Sequence, residues 1–122
     1  MDRKELVERR KHRRFPVKDL TFAVPRKNSD RIGKVVDIGM GGLAFHYSGA
    51  GEWSDKSLEL DIFRADSNFY LTSVGCRLIS DREMSNDFPD NTDLRRSCVE
   101  FNDLAEDKIS QLEELIHCYA AG

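Results

Sequence analysis

Between residues 20 and 102, apolar side chains recur in short alternating runs, each ended by glycine, proline or small polar residues. Leu43, Phe45 and Tyr47 alternate with Ala44 and His46, and Leu58, Leu60 and Ile62 alternate with Glu59 and Asp61. A period of two puts one set of side chains on one face, so each run reads as a strand half buried against a core. Six such segments follow one another: Leu20–Pro25, Gly33–Ile38, Leu43–Tyr47, Ser57–Phe63, Phe69–Ser80 and Arg95–Asn102. Gly39-Met40-Gly41-Gly42 supplies the turn between the second and third. Residues 81–94 are polar, contain Pro89 and read as a long hairpin loop. Asp103, with Glu106 three residues on, has the spacing of a helix cap, and Ile109, Leu112, Leu115, Ile116 and Tyr119 then recur at helical spacing. Strands at regular intervals closed by one helix predict a mainly β domain, a small antiparallel barrel with a C-terminal helix.

The length of 122 residues suits one domain with one modest core. Apolar residues make up 39 % and charged residues 34 %, which predicts a well-solvated globular chain. No apolar run approaches the roughly 18–20 residues of a membrane span, and residues 1–14 lack the apolar stretch of a secretory signal. A cytosolic protein with no membrane insertion is expected. Cys76, Cys98 and Cys118 are odd in number and far apart, which suits reduced thiols and gives no zinc-binding pair. The net charge of −3 conceals an asymmetry: residues 1–14 hold seven basic groups against three acidic ones, leaving −7 for the rest. The chain therefore divides into a flexible basic arm, residues 1–14, and a barrel body, residues 15–122, joined at Phe15-Pro16-Val17.

A catalytic site needs a nucleophile or an acid–base pair held together. His12, His46 and His117 stand in unrelated contexts, His46 on the solvent side of its strand, and the carboxylates are scattered over expected surface and loop positions. The glycine turn fits neither the Walker nor the dinucleotide fingerprint. No enzyme, cofactor or metal site is expected. The arm is different, with Arg9-Arg10-Lys11-His12-Arg13-Arg14 directly before the first strand. Arginine bonds phosphate or the O6/N7 edge of guanine bidentately and stacks on bases. Such runs also occur as solvated tails. Asp37 before the glycines is a common hairpin signal, but it also offers a carboxylate for the amino edge of a guanine beside an unobstructed backbone. A nucleic-acid binder using the arm is a further alternative. The acidic body and the lack of a second basic stripe or aromatic platform speak against it.

Together these residues resemble the PilZ domain, a family of bacterial receptors for cyclic di-GMP. Arg10-Lys11-His12-Arg13-Arg14 matches the family's Arg-x-x-x-Arg, and Asp37-Ile38-Gly39-Met40-Gly41-Gly42 matches Asp/Asn-x-Ser-x-x-Gly, with glycine at 39 in place of serine. Ser97-Cys98-Val99-Glu100-Phe101 and the helix after it are also similar to the family's close. The resemblance implies a six-stranded antiparallel barrel that binds cyclic di-GMP, orders its arm and signals to an unidentified effector protein. Arg10 and Arg14 would hold phosphates and guanines, Asp37 would read a guanine amino edge, and Gly42 would shape the turn. Arg9 is the position that the family links to an intercalated ligand pair. The missing hydroxyl at Gly39 implies the loss of one hydrogen bond, about 0.5–1.5 kcal/mol. A degenerate PilZ-like adaptor that binds no nucleotide is the alternative within the family.

Overall fold

The alternation in the sequence becomes a closed ring of strands. The structure, a computed structural model, describes residues 12–18, 20–27, 31–48, 53, 55–84 and 94–120. Among these, β1 (Arg14–Pro16), β2 (Thr21–Pro25), β3 (Gly33–Gly39), β4 (Gly42–Ser48), β5 (Ser57–Arg64), β6 (Tyr70–Glu83) and β7 (Leu94–Phe101) precede α1 (Glu106–Ala120). The antiparallel order β3-β2-β5-β6-β7-β4 closes through a β3–β4 pairing, which gives the expected six-stranded barrel. The short β1 adds no stave. It lies along the edge of β3 that β2 also uses, with Arg14 opposite Gly39, Phe15 opposite Ile38 and Pro16 opposite Asp37. The Val17 N–H donates to the Val36 carbonyl at 3.0 Å, and β2 takes over opposite Lys34 and Gly33.

Inward positions fill the core. Val35, Leu43, Phe45, Leu60, Ile62 and Val99 are fully buried, while their strand neighbours Lys34, Glu59 and Glu100 face solvent. Trp53 packs against the core, meeting Tyr47 edge-on at 5.5 Å and Phe45 at 6.5 Å. Leu112, Leu115 and Ile116 of α1 are buried as their spacing predicts, and the helix packs on β1 and β6.

Two boundaries differ from the sequence reading by more than one residue. The strand read as ending at Ser80 continues to Glu83, so Asp81 is not in a solvated loop. Its side chain turns inward and accepts from Tyr47 Oη at 2.7 Å, Ser97 Oγ at 2.8 Å and Arg95 Nη2 at 2.9 Å. Those bonds make a buried carboxylate tolerable at a strand position. The helix starts later than expected. Its first bond runs from Ile109 N–H to the Ala105 carbonyl, so Ala105 holds the cap position and Asp103 lies in the preceding segment.

Candidate functional site

A bulge aims the carboxylate on which the site is built. Val35 pairs with Phe45 and Asp37 with Ala44, which leaves Val36 as the extra residue in β3. Without it, strict alternation would carry Asp37 into the core along with Val35. With it, Ile38 is fully buried and Asp37 turns out onto the barrel's outer face. There Asp37 Oδ1 accepts from Arg14 Nη1 at 3.0 Å, and Oδ2 accepts from Arg96 Nη2 at 3.2 Å. All three side chains are about one-fifth to one-quarter exposed, so the pairs are neither solvent-screened surface contacts nor sealed ones. Arg96 Nη1 also lies 3.4 Å from His46 Nε2. Burial lowers the His46 pKa, the positive charges of Arg96 and Lys34 lower it further, and Asp37 alone opposes them.

The glycines work by what they leave out. A Cβ on Gly42 would overlap the Val99 carbonyl oxygen and stand 3.0 Å from Arg14 Nη2. Gly42 thus lets β4 close on β7 and leaves room for the Arg14 guanidinium. At Gly39 a Cβ would collide with the backbone carbonyl of Arg13. The sequence reading treated position 39 as a missing hydroxyl in an open site. In the structure the space is filled by the backbone of Arg13 and Arg14, where β1 begins to pair with β3.

Of the expected site residues, Arg14, Asp37, Gly39 and Gly42 meet on one face of the barrel. Arg9 and Arg10 lie outside the described residues. Arg14 also lines an open cleft of about 760 Å³ between the glycine turn and the head of α1, walled in part by Met40, Phe101 and Leu104. Sequence reasoning missed Arg96. The signal was the pair Arg95-Arg96 within a strand: adjacent residues face opposite sides, so one arginine had to point inward and find an acid. Arg95 does so at Asp81, which leaves Arg96 facing out. The expectation of no second basic stripe or aromatic platform is also corrected. Phe22, Phe63 and Tyr70 stack across β2, β5 and β6 at 5.5 and 6.0 Å, and Lys34 continues their row on β3. These residues are far apart in sequence and become neighbours only through strand register.

No protein-family model matches the chain, and no curated protein matches it in sequence. Its likeness is to solved structures. The PilZ domain of YcgR from Escherichia coli, solved with c-di-GMP, superposes with a TM-score of 0.71 at 15 % identity, over 93 % of this chain and 92 % of that one. The fold is PilZ-like. K. pneumonia MrkH in its apo state matches with a TM-score of 0.70 at 12 % identity, over 89 % of this chain and 48 % of MrkH. The MrkH–c-di-GMP complex matches at 0.67 and 14 % identity, over 88 % of this chain and 50 % of that one. The chain thus spans about half the length of MrkH. Within this PilZ-like fold, the described residues contain no group of three or more histidines, cysteines or carboxylates placed to hold a metal. No helix among them is long and apolar enough to cross a membrane.

Proposed function

We propose that this protein is a receptor for cyclic di-GMP and not an enzyme, and that it passes the signal to a partner protein. The observation that carries the reading is the Arg14–Asp37 pair beside Gly42, on the outer face of a PilZ-like barrel. An ionised carboxylate has about four acceptor directions, and the two arginines occupy two of them. The remaining directions are the ones that the N1–H and N2–H of a guanine would use. Arg14 spends one of five donors on Asp37 and bonds no other side chain among the described residues, which leaves donors for a phosphate or for the O6/N7 edge. The cleft beside Arg14 is of the size that small ligands occupy. Arg9 and Arg10 would add charge from the arm, and the ligand would tie the like-charged arm to the barrel. The surface so formed is what an effector protein would read.

Calorimetry with cyclic di-GMP tests this. Wild-type protein should bind, and Arg14→Ala and Asp37→Ala should each weaken binding at least tenfold. Two ligands per protomer in the wild type and one in Arg9→Ala would assign the stacked pair to Arg9. Amide exchange over residues 8–16 should slow on binding. Absence of binding at high micromolar ligand overturns the reading in favour of an adaptor. One feature favours that second reading: both Asp37 oxygens are already satisfied by arginines in the free protein.

A further inference from the structure

Three cationic side chains and an imidazole stand in one cross-strand row on the outer face of the barrel. Lys34 of β3 is opposite His46 of β4, His46 is opposite Arg96 of β7, and Arg96 is opposite Arg82 of β6. Their outward direction follows from their neighbours: Gly33, Val35, Phe45, Tyr47, Asp81 and Ser97 all turn inward. Like charges set directly opposite each other across strands destabilise a sheet. Here three permanent charges and an imidazole are met by one carboxylate, Asp37, which also serves Arg14. Lys34 and Arg82 are exposed and make no ion pair among the described residues. A row that costs stability in the free protein is complementary to an anion.

We infer that Lys34, His46, Arg96 and Arg82 form a seat for a phosphate group, across Asp37 from Arg14. The row carries guanidinium donors from Arg96 and Arg82 on adjacent strands and an ammonium from Lys34 two strands away from Arg96, with His46 and Arg96 at its middle position. Arg96 bridges that position to Asp37, so an anion on the row and a base at the carboxylate are coupled through a single side chain. With the function proposed above, on which this assignment of the ligand rests, the seat takes the second phosphodiester of the cyclic dinucleotide. A mononucleotide has one phosphate to share between Arg14 and the row, where a cyclic dinucleotide brings two. The seat therefore supplies selectivity for dinucleotides.

The test uses the full chain and a Lys34→Gln/Arg82→Gln double variant, whose exposed positions leave the core untouched. Inorganic pyrophosphate is titrated at low salt while the His46 imidazole is followed by NMR. The wild type should show saturable shifts and a raised His46 pKa, with affinity at least tenfold weaker in the double variant. Cyclic di-GMP should bind the double variant about tenfold more weakly, a larger loss than GMP shows. His46 signals that ignore pyrophosphate, or equal affinity in the two proteins, overturn the seat. Equal binding of cyclic di-GMP by both overturns the seat and leaves the receptor reading standing. Failure of the wild type to bind cyclic di-GMP, with His46 still responding to pyrophosphate, overturns the receptor reading and supports the seat. A single-stranded oligonucleotide that binds the row more tightly than any compact phosphate overturns its assignment to a small ligand.

Discussion

Position 39 carries a serine in the motif that this sequence resembles, and restoring it invites the expectation of a regained hydrogen bond. The geometry gives the opposite sign. Gly39 faces Arg14 in the β1–β3 register, and any Cβ there runs into the Arg13 carbonyl. That obstacle is backbone, which cannot rotate away as a side chain can. Gly39→Ser should therefore destabilise the protein by about 1–3 kcal/mol through overpacking. A lowered thermal midpoint is expected, with slower-exchanging amides lost around Phe15 and Val17; an unchanged midpoint would show that β1 shifts at no cost. Asp37 and Arg14 were legible as chemistry-bearing residues only together: an arginine cluster and a carboxylate before glycines are each common alone, but in this order they supply complementary halves of a guanine-nucleotide site. Arg96 was not, because its role depends on standing opposite His46, fifty residues away, and sequence alone does not fix that register.

Among the elements, alternation identified every stave of the barrel, since a period of two is a local property of the chain. The irregular points were hidden because each is a compromise between two strands. Val36 is one. The stretch of β6 facing Asp61 is another: the register with β5 shifts between Leu60 and Ile62, and Ser73 takes a left-handed φ of 53°. A non-glycine residue there is supported from outside. The Asp61 carboxylate accepts from the Ser73 N–H at 2.8 Å, Arg26 donates to both Asp61 and the Ser73 hydroxyl, and Lys108 of α1 donates to the Thr72 and Ser73 carbonyls at 2.7 Å. This cluster ties the helix to the kink. Removing the carboxylate with Asp61→Ala leaves the Ser73 N–H without its partner and should cost about 1–3 kcal/mol. Chemical denaturation should show the loss with no change in m-value; wild-type stability in the variant would mean that Lys108 alone holds the kink.

For the whole molecule, the titratable groups that the fold perturbs define a pH window. His46 has a pKa below its ordinary 6.5, through burial first and then the charges of Arg96 and Lys34, with Asp37 opposing. The unfolded chain therefore takes up that proton more readily than the folded one, and stability present above pH 6.5 is lost as pH falls towards the folded value. Burial pushes the Asp81 carboxyl up, but the hydrogen bonds from Arg95, Tyr47 and Ser97 outweigh it and hold the pKa below 3.8. Its contribution persists to lower pH than that of His46. On the alkaline side, burial pushes the Cys76 thiol from 9.0 to about 12, and burial followed by the bond to Asp81 raises Tyr47 above 10.0. Both favour the folded state below their unfolded values, and that advantage is lost as pH rises. Stability should thus be flat between about pH 6.5 and 9 and fall on either side. His46→Gln keeps a polar group beside Arg96 and removes the titration, so the acid edge should move down towards the carboxylate range while the alkaline edge stays. Thermal midpoints across pH 4–11 measure both edges. An unmoved acid edge in His46→Gln would place the controlling proton on another group. An anion on the cationic row should shift the same edge, because a phosphate beside His46 favours the imidazolium and lowers the pH at which folding loses its advantage.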